Sequence, residues 1–258
     1  WHTGGLVPFL APDRRLGLAL GPAVPLVLQG EAPVDTWAES PLPPVDEDFM
    51  KRLAYMYSDD TLFARTLSDA RGNQVADSGG MMANGNPRKQ ALQKSARAAA
   101  KLLSQADGPR IAVMESRGWD THFAQERRLA TLFNQLADSL LTLKSGLAEA
   151  WQQTTVIVVS EFGRTAAENG SRGTDHGVGG IAFVAGGAVN GGRVVGQWPG
   201  LAANALYEGR DVQPANAYES LFKGALLNRM GIGEGTLEDH VFPGSRKAHA
   251  AVDLFRRA

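Results

Sequence analysis

The sequence feature that most constrains the fold is a strand, helix and strand pattern in the middle of the chain. Ile111 to Met114 is a short apolar run typical of a strand, and Phe123 to Leu147 carries apolar residues at helical spacing. Thr155 to Ser160 is a continuous, mostly apolar and β-branched run, which is typical of a strand covered on both faces. We therefore predict a βαβ unit whose two strands pair in parallel.

The N-terminal part of the chain has a different pattern. Most of the 13 prolines lie before about residue 45, so extended connections are expected there, with a strand-like run from Pro25 to Leu28. Apolar residues at spacings of three and four after Asp46 predict two short helices. Ala76 to Gly85 has the composition of a loop, and Asn86-Pro87 is a favourable start for the alanine-rich helix that follows.

The C-terminal part completes the expected fold. Ile181 to Ala185 predicts a third strand, and Ala217 to Met230 predicts a final helix that ends at Gly231. The predicted fold class is α/β, with a mostly parallel central sheet flanked by helices. We divide the chain into a proline-rich connection and helical segment, residues 1–107, and a sheet-containing core, residues 108–258.

Composition excludes several classes of function. The 26 Lys and Arg residues balance 27 Asp and Glu residues, so the chain lacks the excess of basic residues with which proteins bind nucleic acids or anionic membranes. The longest apolar stretch, residues 16–28, is too short for a transmembrane segment. The absence of cysteine excludes disulfides, thiolate zinc sites and a cysteine nucleophile, so any metal must be bound through oxygen and nitrogen ligands.

Three polar clusters fall at predicted strand ends: Asp120 with His122, Glu161 with Arg164, and Asp175 with His176. In open parallel sheets, ligands bind at the carboxyl ends of the strands, so these clusters are expected to meet. Carboxylates and neutral imidazoles bind zinc, manganese and iron, so the acidic and histidine residues of all three clusters are candidate metal ligands. Arg164 offers a planar guanidinium to a phosphate-like or sulfate-like group.

Each cluster also has a purely structural interpretation. Asp120 and Thr121 have the short oxygen-bearing side chains that cap helices, and they precede the long helix. The cluster around Asp175 lies in a glycine-rich stretch that is compatible with a solvated turn, and the cluster around Glu161 is compatible with an ion pair. The occurrence of all three clusters at one edge of the predicted sheet favours a shared site over three independent coincidences.

Several motifs together resemble a known bacterial family. They are residues 118–122 (GWDTH), 160–165 (SEFGRT), 169–170 (NG), 173–177 (GTDHG) and the glycine-rich residues 186–192. These motifs are similar to the domain-of-unknown-function family numbered 1501, a branch of the alkaline phosphatase and sulfatase superfamily. The resemblance is specific between about residues 118 and 192, and residues 241–245 (VFPGS) are similar to the family's C-terminal end.

The resemblance implies an alkaline phosphatase-like fold in which strand-end loops of the C-terminal half bind a divalent metal. It implies that Asp120 and His122 bind one metal ion. Asp175 and His176 would occupy the region of the last histidine ligand. The implied metal is zinc, with manganese, calcium or iron as alternatives.

The resemblance also shows where this chain departs from the superfamily pattern. Glu161 and Phe162 stand where the superfamily has an Asp-His pair, so one nitrogen ligand is missing there and Glu161 would supply an oxygen. The superfamily also uses an Asp on its first strand and a Ser or Thr nucleophile, and neither matches a residue of this chain. Two-metal phosphoryl or sulfuryl transfer needs such an activated oxygen nucleophile.

The implied function is metal-dependent hydrolysis of a small anionic ester of phosphate or sulfate. The sequence contains no G-x-S-x-G elbow, P-loop or strand-linked G-x-G-x-x-G motif that would point to another enzyme class. Two alternatives remain open: a non-catalytic module that binds a metal or an anion, and a structural partner in an outer-surface assembly. The family resemblance further implies an exported, periplasmic location.

The expected sheet is incomplete in residues 1–258. Its first βαβ unit begins only after residue 108, which would leave an unpaired sheet edge or an uncovered apolar face. We therefore expect the native product to carry a further N-terminal stretch of roughly 100–150 residues that adds strands to this sheet. The isolated chain is then expected to be marginally stable or prone to aggregation and to hydrolyse neither phosphate nor sulfate esters.

Overall fold

The computed structural model describes four stretches of the chain: residues 16–30, 32–39, 46–74 and 87–256. Three strands form a parallel sheet in the order β2-β1-β3: β1 (Gly17–Leu20), β2 (Val34–Trp37) and β3 (Ile111–Met114). β1 lies in the centre, with Leu18 opposite Asp35 and Ala112. The strand predicted at Ile111 to Met114 is confirmed, and its sheet contains strands from both sides of the expected division at residue 107.

The strand predicted from Pro25 to Leu28 is wrong. Leu26–Leu28 instead forms a short 3-10 helix. The proline that precedes it lacks an N–H group and could not extend the hydrogen-bonded ladder, which continues only as far as Gly21. The proline-rich residues 1–15 and 40–45 lie outside the described residues.

The two short helices predicted after Asp46 are confirmed. In α1 (Glu47–Met56), the carboxylate of Asp46 accepts a hydrogen bond of 2.7 Å from an N–H group of the first turn. In α2 (Thr61–Gln74), the carboxylate of Asp60 accepts hydrogen bonds from two N–H groups of the first turn. Short acidic side chains therefore set both helix starts. The loop predicted at Ala76 to Gly85 lies outside the described residues.

α3 (Pro87–Leu103) and α4 (Gln125–Leu147) are the alanine-rich and the long amphipathic helices that the sequence predicts. They pack closely, since a Cβ atom added at Gly146 would lie only 2.7 Å from the Cβ atom of Ala100. With the parallel sheet they enclose the largest core, whose buried members include Leu18, Leu20, Trp37, Ala99, Leu102, Leu143 and Leu147. This core holds β3 in place, and β3 leads directly into the first polar cluster.

Two short antiparallel pairs follow: β4 (Val156–Val158) with β7 (Phe183–Ala185), and β5 (Gly163–Arg164) with β6 (His176–Gly177). The strands predicted near residues 155–160 and 181–185 are thereby confirmed. The predicted parallel pairing of β3 with β4 is wrong among the described residues, because β3 pairs with β1 and β4 pairs with β7. An apolar, β-branched run predicts a strand, but it does not specify the partner strand or its direction, and β4 is only half-buried instead of covered on both faces.

The helix α5 (Tyr218–Met230) ends at Gly231 as the sequence predicts, with a φ angle of 65° at that glycine. It is not the final helix that the sequence predicts, because a short helix at Glu234–Thr236 continues into a π-helix at Leu237–Val241. Leu221 and Ala225 of α5 pack against the β4–β7 pair through a second core. The fold is thus a mixture of helices and small sheets, one of them parallel. Among the described helices, none is long and apolar enough to cross a membrane.

Candidate metal centre

Asp120, His122 and His176 lie together at the surface, and we call them the Asp-His-His group. Their potential ligand atoms all lie within 4.8 Å of one another. Oδ1 of Asp120 lies 2.7 Å from Nε2 of His122 and 2.8 Å from Nε2 of His176. The structure therefore brings together three of the five metal ligands that the sequence predicts, from segments more than 50 residues apart.

The segment between β3 and α4 carries Asp120 and His122, and it does not cap α4 with its side chains. The N-cap residue of α4 is Ala124, which adopts a left-handed conformation and makes no side-chain capping bond. The capping interpretation of Asp120 and Thr121 is therefore wrong. Instead, the N–H groups of Ala124 and Gln125 donate to backbone carbonyls of residues 171 and 172, at 3.0 and 2.8 Å.

Asp175 lies beside the group and contacts His122 from the other side of its ring. Oδ1 of Asp175 lies 3.0 Å from Nδ1 of His122. Asn169 donates from Nδ2 to this same Oδ1 and to the backbone carbonyl of His122, both at 2.9 Å. Asp175 thus acts on the ring of His122 and is not a member of the Asp-His-His group. We call residues 169–175 the supporting loop.

Sequence reasoning assigned no role to Asn169. Its Oδ1 accepts hydrogen bonds from the N–H groups of Ser171 and Gly173, so it also shapes the supporting loop internally. In the sequence, the Asn-Gly dipeptide at residues 169–170 indicates that the chain turns there, but it does not indicate what Asn169 contacts. Its contacts with His122 and Asp175 depend on tertiary structure.

Two glycines allow the backbones around the group to approach closely. A Cβ atom added at Gly173 would lie 2.3 Å from the carbonyl carbon and oxygen of His122. A Cβ atom added at Gly177 would lie 2.5 Å from the carbonyl oxygen of Arg164. Any larger residue would force the backbone to move at both positions.

Arg164 joins the two segments that carry the Asp-His-His group. Its guanidinium donates to the backbone carbonyls of Thr174 and Trp119 at 2.7 and 2.6 Å. Nη2 also lies 3.8 Å from Oδ1 of Asp120, and only 18% of the Arg164 side chain is exposed. The guanidinium therefore faces the group. In the part of the chain that the structure describes, it does not form the ion pair with Glu161 considered from the sequence.

Glu161 is exposed and lies outside the Asp-His-His group. Within the described ranges, no hydrogen bond or ion pair links it to a member of the group. Its neighbour Phe162 contacts the group instead, because the rings of Phe162 and His176 stack with centroids 4.4 Å apart. The structure therefore places Asp120, His122, His176, Asp175 and Arg164 together and leaves Glu161 aside.

One protein-family model matches the part of the chain that contains this site. The model of the family described as "Protein of unknown function (DUF1501)" matches residues 57–237, which is more than half of the chain and includes every residue of the site. The chain belongs to this family. The family resemblance seen in the motifs is thereby confirmed. No curated protein and no solved structure matches this DUF1501 chain significantly.

The local charges of the DUF1501 site keep its carboxylates ionised. The hydrogen bond from His176 is the main cause that holds the pKa of Asp120 below its ordinary value, and the nearby charges of His122 and Arg164 act in the same direction. Hydrogen bonds from His122, and then from Asn169, lower the pKa of Asp175. Both side chains are therefore acceptors at neutral pH, as a ligand or an orienting group must be.

The donor set of the DUF1501 site suits a divalent metal. One carboxylate and two imidazoles are the ligands found in three-residue catalytic zinc sites, which leave a coordination position for water or substrate. Iron and manganese accept the same donors, whereas calcium prefers oxygen ligands only. All three side chains are partly exposed, so an ion and a small solute could reach them.

Proposed function

We propose that the chain binds a divalent metal ion, with zinc as the first choice, through Asp120, His122 and His176. The observation that carries this proposal is the convergence of their ligand atoms within 4.8 Å. We further propose that the site belongs to an alkaline phosphatase-like hydrolase that acts on small esters of phosphate or sulfate. The motif resemblance supports this substrate class and the exported location that we propose with it.

The roles of the chain's own residues follow from their contacts. A divalent ion held there would supply Lewis-acid stabilisation of charge on a phosphoryl or sulfuryl oxygen. Asp175 would hold the proton on Nδ1 of His122, so that the lone pair of Nε2 faces the Asp-His-His group. Arg164 would place positive charge beside Asp120, where the anionic part of an ester would lie.

A second candidate is a non-catalytic module that binds a metal or an anion. It is favoured by the state of two hydroxyl groups beside Arg164 and Asp175, those of Thr121 and Thr165. Oγ1 of Thr121 belongs to a fully buried residue and lies 3.4 Å from the Arg164 guanidinium. Oγ1 of Thr165 donates to a backbone carbonyl and accepts from the N–H of Asp175. Neither hydroxyl is free to act as a nucleophile in this arrangement.

Calorimetric titration of the chain with Zn²⁺ tests the metal proposal. We expect about one equivalent to bind, and we expect His122→Ala and His176→Ala each to weaken binding by more than about 100-fold, because each removes a ligand. His249→Ala is the matched control, since His249 is exposed and lies outside the group. Equal zinc binding by all four proteins would show that the group is not the metal site.

Assays of p-nitrophenyl phosphate and p-nitrophenyl sulfate hydrolysis distinguish the hydrolase from the non-catalytic module. The product of the complete gene is assayed with and without zinc, beside its His122→Ala variant. Zinc-dependent turnover that is lost in the variant would support the hydrolase. Zinc binding without turnover of either ester would favour the non-catalytic module.

A further inference from the structure

The ring of Phe162 makes a parallel contact with the ring of His176. Their centroids lie 4.4 Å apart and their planes differ by 10°. The guanidinium carbon of Arg164 lies 4.7 Å from the centroid of the same phenyl ring. Since Arg164 is itself fixed by two backbone carbonyls, it helps to hold the phenyl ring in place.

Among the described residues, the ring of His176 has two other restraints: a tilted contact with the ring of His122, with centroids 4.9 Å apart and planes 37° apart, and one hydrogen bond to Asp120. Its Nε2 lies 2.8 Å from Oδ1 of Asp120, and 52% of its side chain is exposed. Among the described residues, no hydrogen bond reaches its Nδ1. A terminal ring torsion has a broad energy profile, so a single hydrogen bond at one ring atom does not define the ring plane.

We propose that Phe162 is a positioning residue that fixes the ring plane of His176 and so directs Nε2 into the Asp-His-His group. This inference rests on the proposed metal site, but it concerns a residue that would not touch the ion. Parallel stacking of an aromatic side chain restricts rotation of the imidazole about its terminal torsion. Fixed ligands bind a metal more tightly than mobile ligands because less conformational freedom is lost on binding.

The stacking itself is tested without metal, by NMR of the histidine ring protons. The phenyl ring current should shift the ring protons of His176 upfield in the wild-type chain and in Phe162→Tyr. In Phe162→Leu these resonances should move to positions typical of an exposed histidine. A His176 resonance that is unshifted in the wild-type chain would overturn the inference, whether or not the Leu variant folds.

The consequence for metal binding is tested by zinc titration of the same proteins. We expect Phe162→Leu to weaken zinc binding about 10-fold, as is typical for removal of a group that orients a ligand, and Phe162→Tyr to restore it. Phe63→Leu is the matched control, because Phe63 also stacks on a ring, that of Tyr57 at 5.2 Å, but lies on α2.

The two proposals fail in distinguishable ways. If the wild-type chain binds no zinc, the metal site is overturned, and the metal role of Phe162 with it. If the wild-type chain binds zinc and Phe162→Leu binds it equally well, only the positioning role is overturned. If Phe63→Leu weakens zinc binding as much as Phe162→Leu does, the effect is general destabilisation, and the positioning role is again overturned.

Discussion

His122 and His176 approach the same oxygen of Asp120, but different regions of the molecule hold them. His122 is contacted at both ring nitrogens, by Asp120 and by Asp175 of the supporting loop. His176 lies on the β5–β6 pair, with one nitrogen beside Asp120 and its ring face against Phe162. Partners at both ring nitrogens fix the direction of a ring as well as its plane, whereas stacking fixes only its plane.

The segments around the two histidines also differ in how they are connected to the rest of the fold. The supporting loop is connected to the start of α4 by backbone hydrogen bonds, and it approaches the backbone of His122 at Gly173. The β5–β6 pair contains only two residues in each strand, and Arg164 connects it to the segment that carries Asp120. We therefore expect the ring of His122 to be the more rigid of the two.

The largest effect is expected from Gly173→Ala, which disrupts the His122 side. The added Cβ atom would lie 2.3 Å from the backbone of His122, so the loop must move away. We expect the free energy of unfolding to fall by about 2–3 kcal/mol, measured by urea denaturation, and zinc binding to weaken. Gly170→Ala is the matched control in the same loop, because its Cβ atom would meet nothing within 4 Å. Equal effects at both positions would refute the close-approach explanation.

Asp175→Asn tests the His122 side alone, because it changes only the carboxylate that orients the ring of His122. The amide is a poorer partner for Nδ1 of His122, so we expect zinc to bind with unchanged stoichiometry and about 10–100-fold lower affinity. Asp253→Asn, at an exposed ion pair with Arg193, serves as the control in the same titration. Complete loss of bound zinc would instead indicate that Asp175 is a ligand, as the sequence predicts.

Arg164→Lys tests the connection between the two regions. A lysine retains the positive charge, but its compact ammonium group cannot reproduce the fork that reaches the carbonyls of Thr174 and Trp119. We expect a loss of about 1–2 kcal/mol in the free energy of unfolding, measured beside Arg127→Lys on the exposed surface of α4. An unchanged urea midpoint would mean that these two hydrogen bonds do not stabilise the fold.

The smallest effect is expected from pH. Hydrogen bonds lower the pKa of Asp120 and Asp175 in the folded chain, so their contribution to stability is complete above the ordinary carboxyl pKa of 3.8. It is lost as the pH falls through their lowered folded-state values. Urea midpoints measured between about pH 6 and pH 3 should therefore fall slightly less for Asp175→Asn than for the wild-type chain. A steeper fall in the variant would contradict this sign.

Much of the local structure could be predicted from the sequence because it depends on local patterns. The apolar periodicity after Asp46 and between residues 123 and 147 predicts helices that the structure contains. Strand pairing was predicted less well. The antiparallel register of β4 with β7 depends on which strand edges are available, and no local pattern records this.

In the site, too, the residue types could be identified from the sequence, whereas the contacts that depend on tertiary structure could not. Asp120, His122 and His176 were identifiable because metal-binding residue types stand out in strand-end loops. The contacts of Asn169 and Phe162 were not, since hydrogen bonds and stacking leave no distinctive residue type in the sequence. Glu161 fits the ligand pattern equally well by type, and only the tertiary structure shows that Phe162 faces the group instead.

The proposed metal centre is tested most directly by anomalous diffraction at the zinc edge from crystals of the chain grown with Zn²⁺. We expect one strong peak about 2.0–2.2 Å from a carboxylate oxygen of Asp120 and from Nε2 of both His122 and His176. Asp175 should remain on Nδ1 of His122, and the ring of Phe162 should remain against His176. A zinc peak at other residues, with none at the Asp-His-His group, would show that these three side chains do not form a metal site.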